Sequence, residues 1–138
     1  MYFSIYESMR QMYSLHREAV LAVLTLYLAA LLFSYWKLFR KAGTNPLYAL
    51  IPFWNEYRLF RLAWGDGYFC LFEFLPFVGF VFRWIMLYKL CQAFGKDDRR
   101  WIAAMLLLPA AARLVLAAGD ASYIGPEGRD PAQNPYRD

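Results

Sequence analysis

Residues 19–36 read AVLAVLTLYLAALLFSYW, an apolar run without a charged side chain. Two further apolar stretches follow, YFCLFEFLPFVGFVF at 68–82 and WIAAMLLLPAAARLVLAA at 101–118. About 20 apolar residues in an α-helix cross the roughly 30 Å hydrocarbon core of a bilayer. Because backbone polar groups in lipid must be satisfied within the chain, such spans are expected to be helical. The three stretches therefore predict an all-α, polytopic membrane protein with three transmembrane helices.

The composition supports a membrane protein and argues against several other classes. The chain has 138 residues, of which 60% are hydrophobic and 20% aromatic, which is too apolar for an ordinary soluble domain. The net charge is +4, but basic residues such as Lys37, Arg40 and Lys41 flank apolar stretches. We interpret them as topology and lipid-headgroup signals rather than a nucleic-acid surface. The single histidine and the distant Cys70 and Cys91 give no metal-ligand spacing, so no cofactor is predicted.

Three regions divide the chain. Residues 1–18 place apolar side chains at i, i+3 and i+4 spacing, which predicts an amphipathic N-terminal helix. Residues 19–119 form the predicted transmembrane domain. Residues 120–138 contain three prolines and two glycines among polar residues, which predicts a flexible tail.

The segment 37–67 differs from the three predicted spans because charged residues interrupt it. Asn45-Pro46 is typical of a helix start, Pro52 is expected to break or kink the helix, and Gly65-Asp66-Gly67 is expected to end it. We interpret the segment as a kinked helix at the membrane interface or a shallow re-entrant hairpin, and a fourth span stays open as the alternative.

The dipeptides Ile51-Pro52, Leu75-Pro76 and Leu108-Pro109 are each followed by an apolar stretch and then a glycine next to a charged residue. Their spacings, 24 and 33 residues, are unequal. Repeat architectures keep a fixed period, so the sequence alone does not predict a true repeat.

Ionisable residues inside apolar stretches are costly and often functional. Glu73 lies five residues after the start of the second predicted span, and Arg113 lies five residues before the end of the third. Because a short link makes these spans antiparallel, both side chains are expected at similar depth. We predict an intramembrane ion pair between them, while independent snorkelling and a proton or substrate relay stay open. Arg83 and Lys89 are expected to snorkel toward a helix end.

Two motifs resemble a known family. The stretches 36–43, WKLFRKAG, and 49–57, ALIPFWNEY, are similar to a pattern in small bacterial integral membrane proteins of unknown function. That pattern is Trp-x-x-Phe-x-Lys-Ala-Gly followed by Ala-Leu-Ile-Pro-x-x-Asn-x-Tyr, with a second Pro-x-x-Asn element in which this chain has Gly79. The resemblance implies a bacterial inner-membrane protein without a known activity. It singles out Trp36, Lys41, Gly43, Pro52, Asn55 and Tyr57 as a motif or structural site.

The chain offers no complete catalytic set. Small size, many aromatic residues and this absence favour a non-catalytic structural or accessory subunit of a membrane assembly. The alternative is a transporter or pore formed by self-association, whose path Glu73, Arg83 and Arg113 would line. A membrane-embedded enzyme is least favoured, because Ser34 and Lys37 are its best dyad and both are interfacial.

The predicted partners are membrane lipids together with further copies of the chain or a larger membrane-protein complex. Basic residues are densest just after the first span. With three spans, the positive-inside rule therefore puts residues 37–67 and the C-terminus in the cytoplasm of a multi-pass membrane protein.

Overall fold

The computed structural model describes residues 2–130. Every secondary-structure element in that range is helical, which confirms the all-α prediction. In chain order the elements are α1 (Tyr2–Lys41), the 3-10 helix η1 (Pro46–Leu50), α2 (Trp54–Trp64), the 3-10 helix η2 (Gly67–Phe74), α3 (Val78–Ala93), α4 (Arg99–Leu107), α5 (Pro109–Ala118) and the 3-10 helix η3 (Pro126–Gly128).

Helix α1 has 40 residues and is about 60 Å long. No proline or glycine interrupts it, so the predicted amphipathic helix over 1–18 continues without a break into the first apolar stretch. Among residues 2–130, it is the one helix long and apolar enough to cross a membrane by length and composition. Its last turns, from Ser34 onward, pack against the rest of the protein, whereas the earlier residues are almost all exposed.

Two helical hairpins follow α1. The first hairpin consists of η1, a turn and α2, and the second consists of η2, a turn and α3. Each turn follows a proline and is centred on a phenylalanine in the left-handed region, Phe53 with φ 63° and Phe77 with φ 64°. The N–H of the residue after the phenylalanine donates to the proline carbonyl. This hydrogen bond runs from Trp54 to Pro52 over 2.8 Å in the first turn and from Val78 to Pro76 over 2.7 Å in the second. The two Pro-Phe dipeptides therefore form the same turn twice.

The third proline marks a bend of another kind. Leu108 has φ −133° and ψ 64°, and Pro109 begins α5. Because Pro109 has no N–H and its ring crowds the preceding turn, α4 cannot continue into α5 as one helix. We call α4 and α5 together the bent pair.

The second and third predicted spans are therefore not confirmed as transmembrane helices. The second stretch is broken at Pro76 and the third at Leu108–Pro109. Helix α3 has 16 residues and α5 has 10, or about 24 Å and 15 Å, both shorter than the roughly 30 Å hydrocarbon core. The segment 37–67, which was expected to hold a kinked helix or a re-entrant hairpin, contains the first hairpin.

Ring contacts fix the directions of the hairpin arms. Phe53 stacks on Phe74 with ring centroids 5.7 Å apart, and Tyr57 meets Tyr68 edge-on at 5.4 Å. Residue numbers rise on one arm as they fall on the other, so η2 runs antiparallel to α2. Helix α3 then turns back along η2, and Phe82 stacks on Phe72 at 4.6 Å. Helices α2 and α3 therefore end on the same side of the protein.

Helix α5 runs alongside the end of α1 in the same direction. Arg113 contacts Tyr35, and further along both helices Lys41 contacts Leu116 and Gly119. Helices α1, α2, α3 and α5 thus all end on one side, which we call the base (residues 41–45, 65–67, 94–99 and 119–130). The three turns lie away from the base, and we call them the apices (residues 51–53, 75–77 and 107–109).

Residues 120–130, the first part of the predicted flexible tail, pack along the base. The Tyr123 hydroxyl donates to the Leu62 carbonyl over 2.9 Å, the Ile124 N–H donates to the Ala93 carbonyl over 2.8 Å, and Glu127 forms an ion pair with Lys89. Burial raises the pKa of the Tyr123 phenol. The flexible-tail prediction is wrong for residues 120–130, because side chains in a Pro- and Gly-rich segment find partners on α2 and α3. Residues 131–138 lie outside the described residues.

The core lies between the end of α1 and the other helices. Its largest fully buried side chains are Phe39, Phe60, Leu38, Leu59, Met86, Leu90, Met105 and Leu116.

Candidate functional site

Five polar side chains from separate elements form one chain of contacts between the end of α1, the two hairpins and α5. Arg113 Nη1 donates to Tyr35 Oη over 3.0 Å, and Tyr35 Oη donates to Glu56 Oε1 over 2.5 Å. Arg83 Nη1 donates to Glu56 Oε2 over 2.9 Å, and its Nη2 donates to Glu73 Oε2 over 2.8 Å. These contacts connect α1, α2, η2, α3 and α5, and we call the five residues the polar network.

Arg83 is the centre of the polar network because it pairs with two carboxylates. Its Nε also lies 2.7 Å from Glu73 Oε1, so both carboxylate oxygens face one guanidinium, although only the contact from Nη2 to Oε2 has hydrogen-bond geometry. Such charge-assisted pairs are shorter and stronger than hydrogen bonds between neutral groups. The Arg113 side chain is buried and also donates from Nε to the Pro109 carbonyl over 3.3 Å, which ties the bend before α5 to the polar network.

The structure brings Glu73 and Arg113 into one network but does not pair them directly. Within residues 2–130, the ion pair of Glu73 is with Arg83, and Arg113 donates to Tyr35. The sequence argument thus named two members of the polar network, but Glu73 has Arg83 and not Arg113 as its ionic partner. Arg83 was expected to snorkel and instead lies between two carboxylates.

Nothing in the sequence indicated Tyr35 or Glu56 as members of the site. They lie 21 positions apart along the chain, and no periodicity connects them. An aromatic residue beside Trp36 is also the ordinary expectation for a membrane interface. Only the contact between α1 and α2 reveals that they form a pair.

An open groove of about 700 Å³ lies between the two hairpins. Glu56, Glu73 and Arg83 supply its charged groups, and prolines and phenylalanines from both turns supply most of its apolar wall. These wall residues include Pro52, Phe53, Phe74, Pro76, Phe77 and Phe80. The charged groups are engaged with one another, and residues 2–130 contain no group of three metal-ligating side chains. The ion pairs of Arg83 with Glu56 and Glu73 therefore join the first hairpin to the second.

Asn55 and Gly79 occupy equivalent places in the two hairpins, three residues after the proline. The Asn55 side-chain amide reaches across the first hairpin toward the Ala49 carbonyl at 3.5 Å. In the second hairpin the arms are closer, and a Cβ on Gly79 would collide with the Glu73 carbonyl and lie 2.8 Å from Glu73 Cα. Glycine at position 79 therefore has a steric reason.

The other motif residues build the hairpins and their attachments. Pro52 precedes the first turn, and Tyr57 packs between Trp54 and Tyr68. Gly43, with φ 69°, makes the turn after α1. Trp36 packs against the core. Lys41 Nζ donates to the carbonyls of Leu116, over 2.8 Å, and Gly119, over 2.6 Å, and so caps the end of α5.

We expect Lys41→Met to destabilise the protein by about 1–2 kcal/mol, because hydrogen bonds from a charged donor contribute about 1.5–3 kcal/mol and this one is partly exposed. The measurement is the thermal unfolding midpoint in mild detergent. Lys37→Met is the matched control, since Lys37 lies one turn earlier on α1 and contacts the Phe33 ring rather than a helix end. Equal midpoints for the two variants would contradict the capping role.

Residues 47–126 match the model of a family of unknown function, DUF5684. The match covers more than half of the chain. The chain belongs to this family. The matched range begins in η1 and ends in η3, so it contains both hairpins and the bent pair and leaves α1 outside. Within it lies the motif ALIPFWNEY at 49–57, whereas WKLFRKAG at 36–43 precedes it.

No curated protein and no solved structure matches the chain. The family match brings no activity with it.

Proposed function

We propose that this protein is a small integral membrane protein that acts as a non-catalytic structural or accessory subunit of a membrane assembly. The observation that supports the proposal is the exposure of the apolar surface of α1. Its apolar 18-residue window is only 11% buried, so most of its surface is free to contact lipid or another helix. A helix with apolar residues all round belongs inside a protein or a membrane.

The polar network supports a structural role over a catalytic one. Glu56, Glu73 and Arg83 engage one another, and Arg113 is engaged by Tyr35 and Pro109. An enzyme needs a group within reach of a reacting atom, whereas these groups hold five helical elements together. The same pairing disfavours the alternative, a self-associated pore lined by Glu73, Arg83 and Arg113.

Our proposal for the location is a bacterial inner membrane, with the C-terminal segment in the cytoplasm and α1 surrounded by lipids and partner helices. The partners are further copies of this chain or other membrane proteins. The basic residues around the end of α1 support this orientation by the positive-inside rule.

Site-specific photo-crosslinking along α1 tests the accessory role. A photoreactive residue is placed in turn at Val20, Leu21, Val23, Leu24 and Leu28, which are all exposed, and irradiated in intact membranes. We expect protein adducts of one defined mass at positions that share one helical face, and lipid adducts elsewhere. Phe39, which is fully buried, is the control position and is expected to give neither.

Two results would contradict the proposal. One is lipid adducts alone at every position together with a monomeric chain in mild detergent. The other is solute flux through proteoliposomes that Glu73→Gln abolishes, which would favour the pore.

A further inference from the structure

The three apices share an exposed, uncharged and strongly apolar surface. Phe77 is 90% exposed, Leu107 77% and Phe53 69%, and Ile51, Leu75 and Leu108 add further exposed apolar side chains next to them. Large contiguous apolar patches are rare on soluble monomers and mark contact with a membrane or another protein. The apices are therefore suited to a nonpolar surrounding.

The base has the opposite character. Its segments and the adjacent helix ends are rich in charged residues. The basic ones include Arg40, Lys41, Lys96, Arg99, Arg100 and Arg129, and the acidic ones include Asp66, Asp97, Asp98, Asp120 and Glu127. By contrast, residues 2–33 contain two arginines, Arg10 and Arg17. Basic clusters beside apolar segments complement anionic lipid headgroups. The charged side chains thus lie toward the base, and the exposed apolar side chains lie at the apices.

The turns leave few backbone donors to be satisfied in a nonpolar surrounding. Pro52 and Pro76 have no N–H. The next two N–H groups after Phe53 donate to the Pro52 and Ile51 carbonyls, and the second turn repeats this pattern with Pro76 and Leu75. Because irregular backbone in lipid is costly unless its polar groups are paired, this pairing suits the turns to insertion.

We propose that both hairpins and the bent pair enter the membrane from one side, so that the three apices lie in the hydrocarbon core while α1 alone crosses the bilayer. The partner of this surface is lipid acyl chains, and that of the base is the headgroup layer. The proposal rests on the membrane location in the proposed function. The arms, at about 10–24 Å, reach into the roughly 30 Å core without crossing it.

This arrangement changes the topology expected from three spans. All four base segments lie on one side, so Lys96, Arg99 and Arg100 join Lys41 and Arg129 instead of facing the opposite compartment. The basic residues then become strongly asymmetric across the membrane, and the positive-inside rule puts the base in the cytoplasm.

Cysteine labelling from each side of the membrane tests the topology. In a Cys70→Ala, Cys91→Ala background, single cysteines replace Ser8, Asp97 and Asp120, which are all exposed. An impermeant maleimide is applied to spheroplasts and to inverted vesicles of a bacterial host. We expect Asp97→Cys and Asp120→Cys to react from the same side and Ser8→Cys from the other. Reaction of Asp97→Cys from the Ser8 side would overturn the proposal in favour of three spans.

A spin label at Phe77→Cys tests the depth. Because Phe77 is 90% exposed, its replacement removes little packing, and an unchanged unfolding midpoint confirms the fold. We expect the label to collide with dissolved oxygen and to be protected from an aqueous nickel complex, with the reverse at Asp97→Cys. Nickel access at Phe77→Cys equal to that at Asp97→Cys would overturn insertion of the apices.

A carbonate wash of the membranes separates failure of this inference from failure of the proposed function. Release of the chain into the wash would show that the chain is not an integral membrane protein and would contradict the proposed function. Retention of the chain combined with reaction of Asp97→Cys from the Ser8 side, or with nickel access at Phe77→Cys, would contradict only the insertion of the hairpins and the bent pair from one side.

Discussion

Arg83→Met is expected to lower the free energy of unfolding by about 2–4 kcal/mol, the largest effect of any substitution proposed for this chain. Breaking a buried ion pair costs about 3–5 kcal/mol because a charge is left without its partner. Arg83 is about one-third exposed, so solvent screening reduces that figure. The loss is still large because Glu56 and Glu73 both lose their counter-charge. The measurement is chemical or thermal unfolding of the purified protein in mild detergent.

The control for Arg83→Met is Arg99→Met, since Arg99 is exposed at the beginning of α4 and lies outside the polar network. We expect Arg99→Met to leave the unfolding midpoint nearly unchanged. Adding Glu56→Gln and Glu73→Gln to Arg83→Met is expected to recover part of the loss, because the two unpaired charges are then gone. A triple variant less stable than Arg83→Met alone would contradict the ion-pair account.

Gly79→Ala is expected to destabilise the protein by about 1–3 kcal/mol, the usual cost of forcing an extra methyl group into a packed site. The new Cβ would collide with the Glu73 carbonyl, so η2 and α3 would have to separate next to the ion pair of Glu73 and Arg83. The same unfolding measurement applies. We expect the variant to retain its helical circular dichroism, because the hairpin opens rather than unfolds.

The first hairpin provides the matched control for Gly79→Ala. Asn55→Ala changes the equivalent position, where a side chain is already accommodated and only a long hydrogen bond to Ala49 is lost. We expect a smaller destabilisation there. If Asn55→Ala were as costly as Gly79→Ala, close approach of the arms would not be what requires glycine in the second hairpin.

The sequence predicted helix over residues 1–18 and 19–36, and α1 joins these two regions because nothing in residues 2–41 interrupts a helix. The sequence could not distinguish a proline kink from a reversal of the chain. A Pro-Phe dipeptide is compatible with either structure. The reversal depends on a positive φ at Phe53 and Phe77, and a bulky residue adopts a positive φ only when its surroundings require it. Contacts between segments distant in sequence, such as Phe53 with Phe74, are part of those surroundings.

The partner of Glu73 was missed for the same reason. On a continuous helix, Glu73 and Arg83 would be separated by about 15 Å along the axis, which makes Arg113 on the next span the better candidate. Once the chain turns back after Pro76, Arg83 lies directly opposite Glu73. The turn at Phe77 thus explains why Glu73 pairs with Arg83 and not with Arg113.

The claim that the second apolar stretch folds back on itself is tested most directly by one distance. Spin labels at Tyr68→Cys and Asp97→Cys, in the Cys70→Ala, Cys91→Ala background, are measured by double electron–electron resonance in lipid nanodiscs. An unbroken helix over these 29 residues would separate the two backbones by about 44 Å. We expect a distribution centred below about 25 Å, since the two arms of a hairpin pack roughly 8–10 Å apart. A distribution centred near 40 Å would show a transmembrane span and contradict the hairpin.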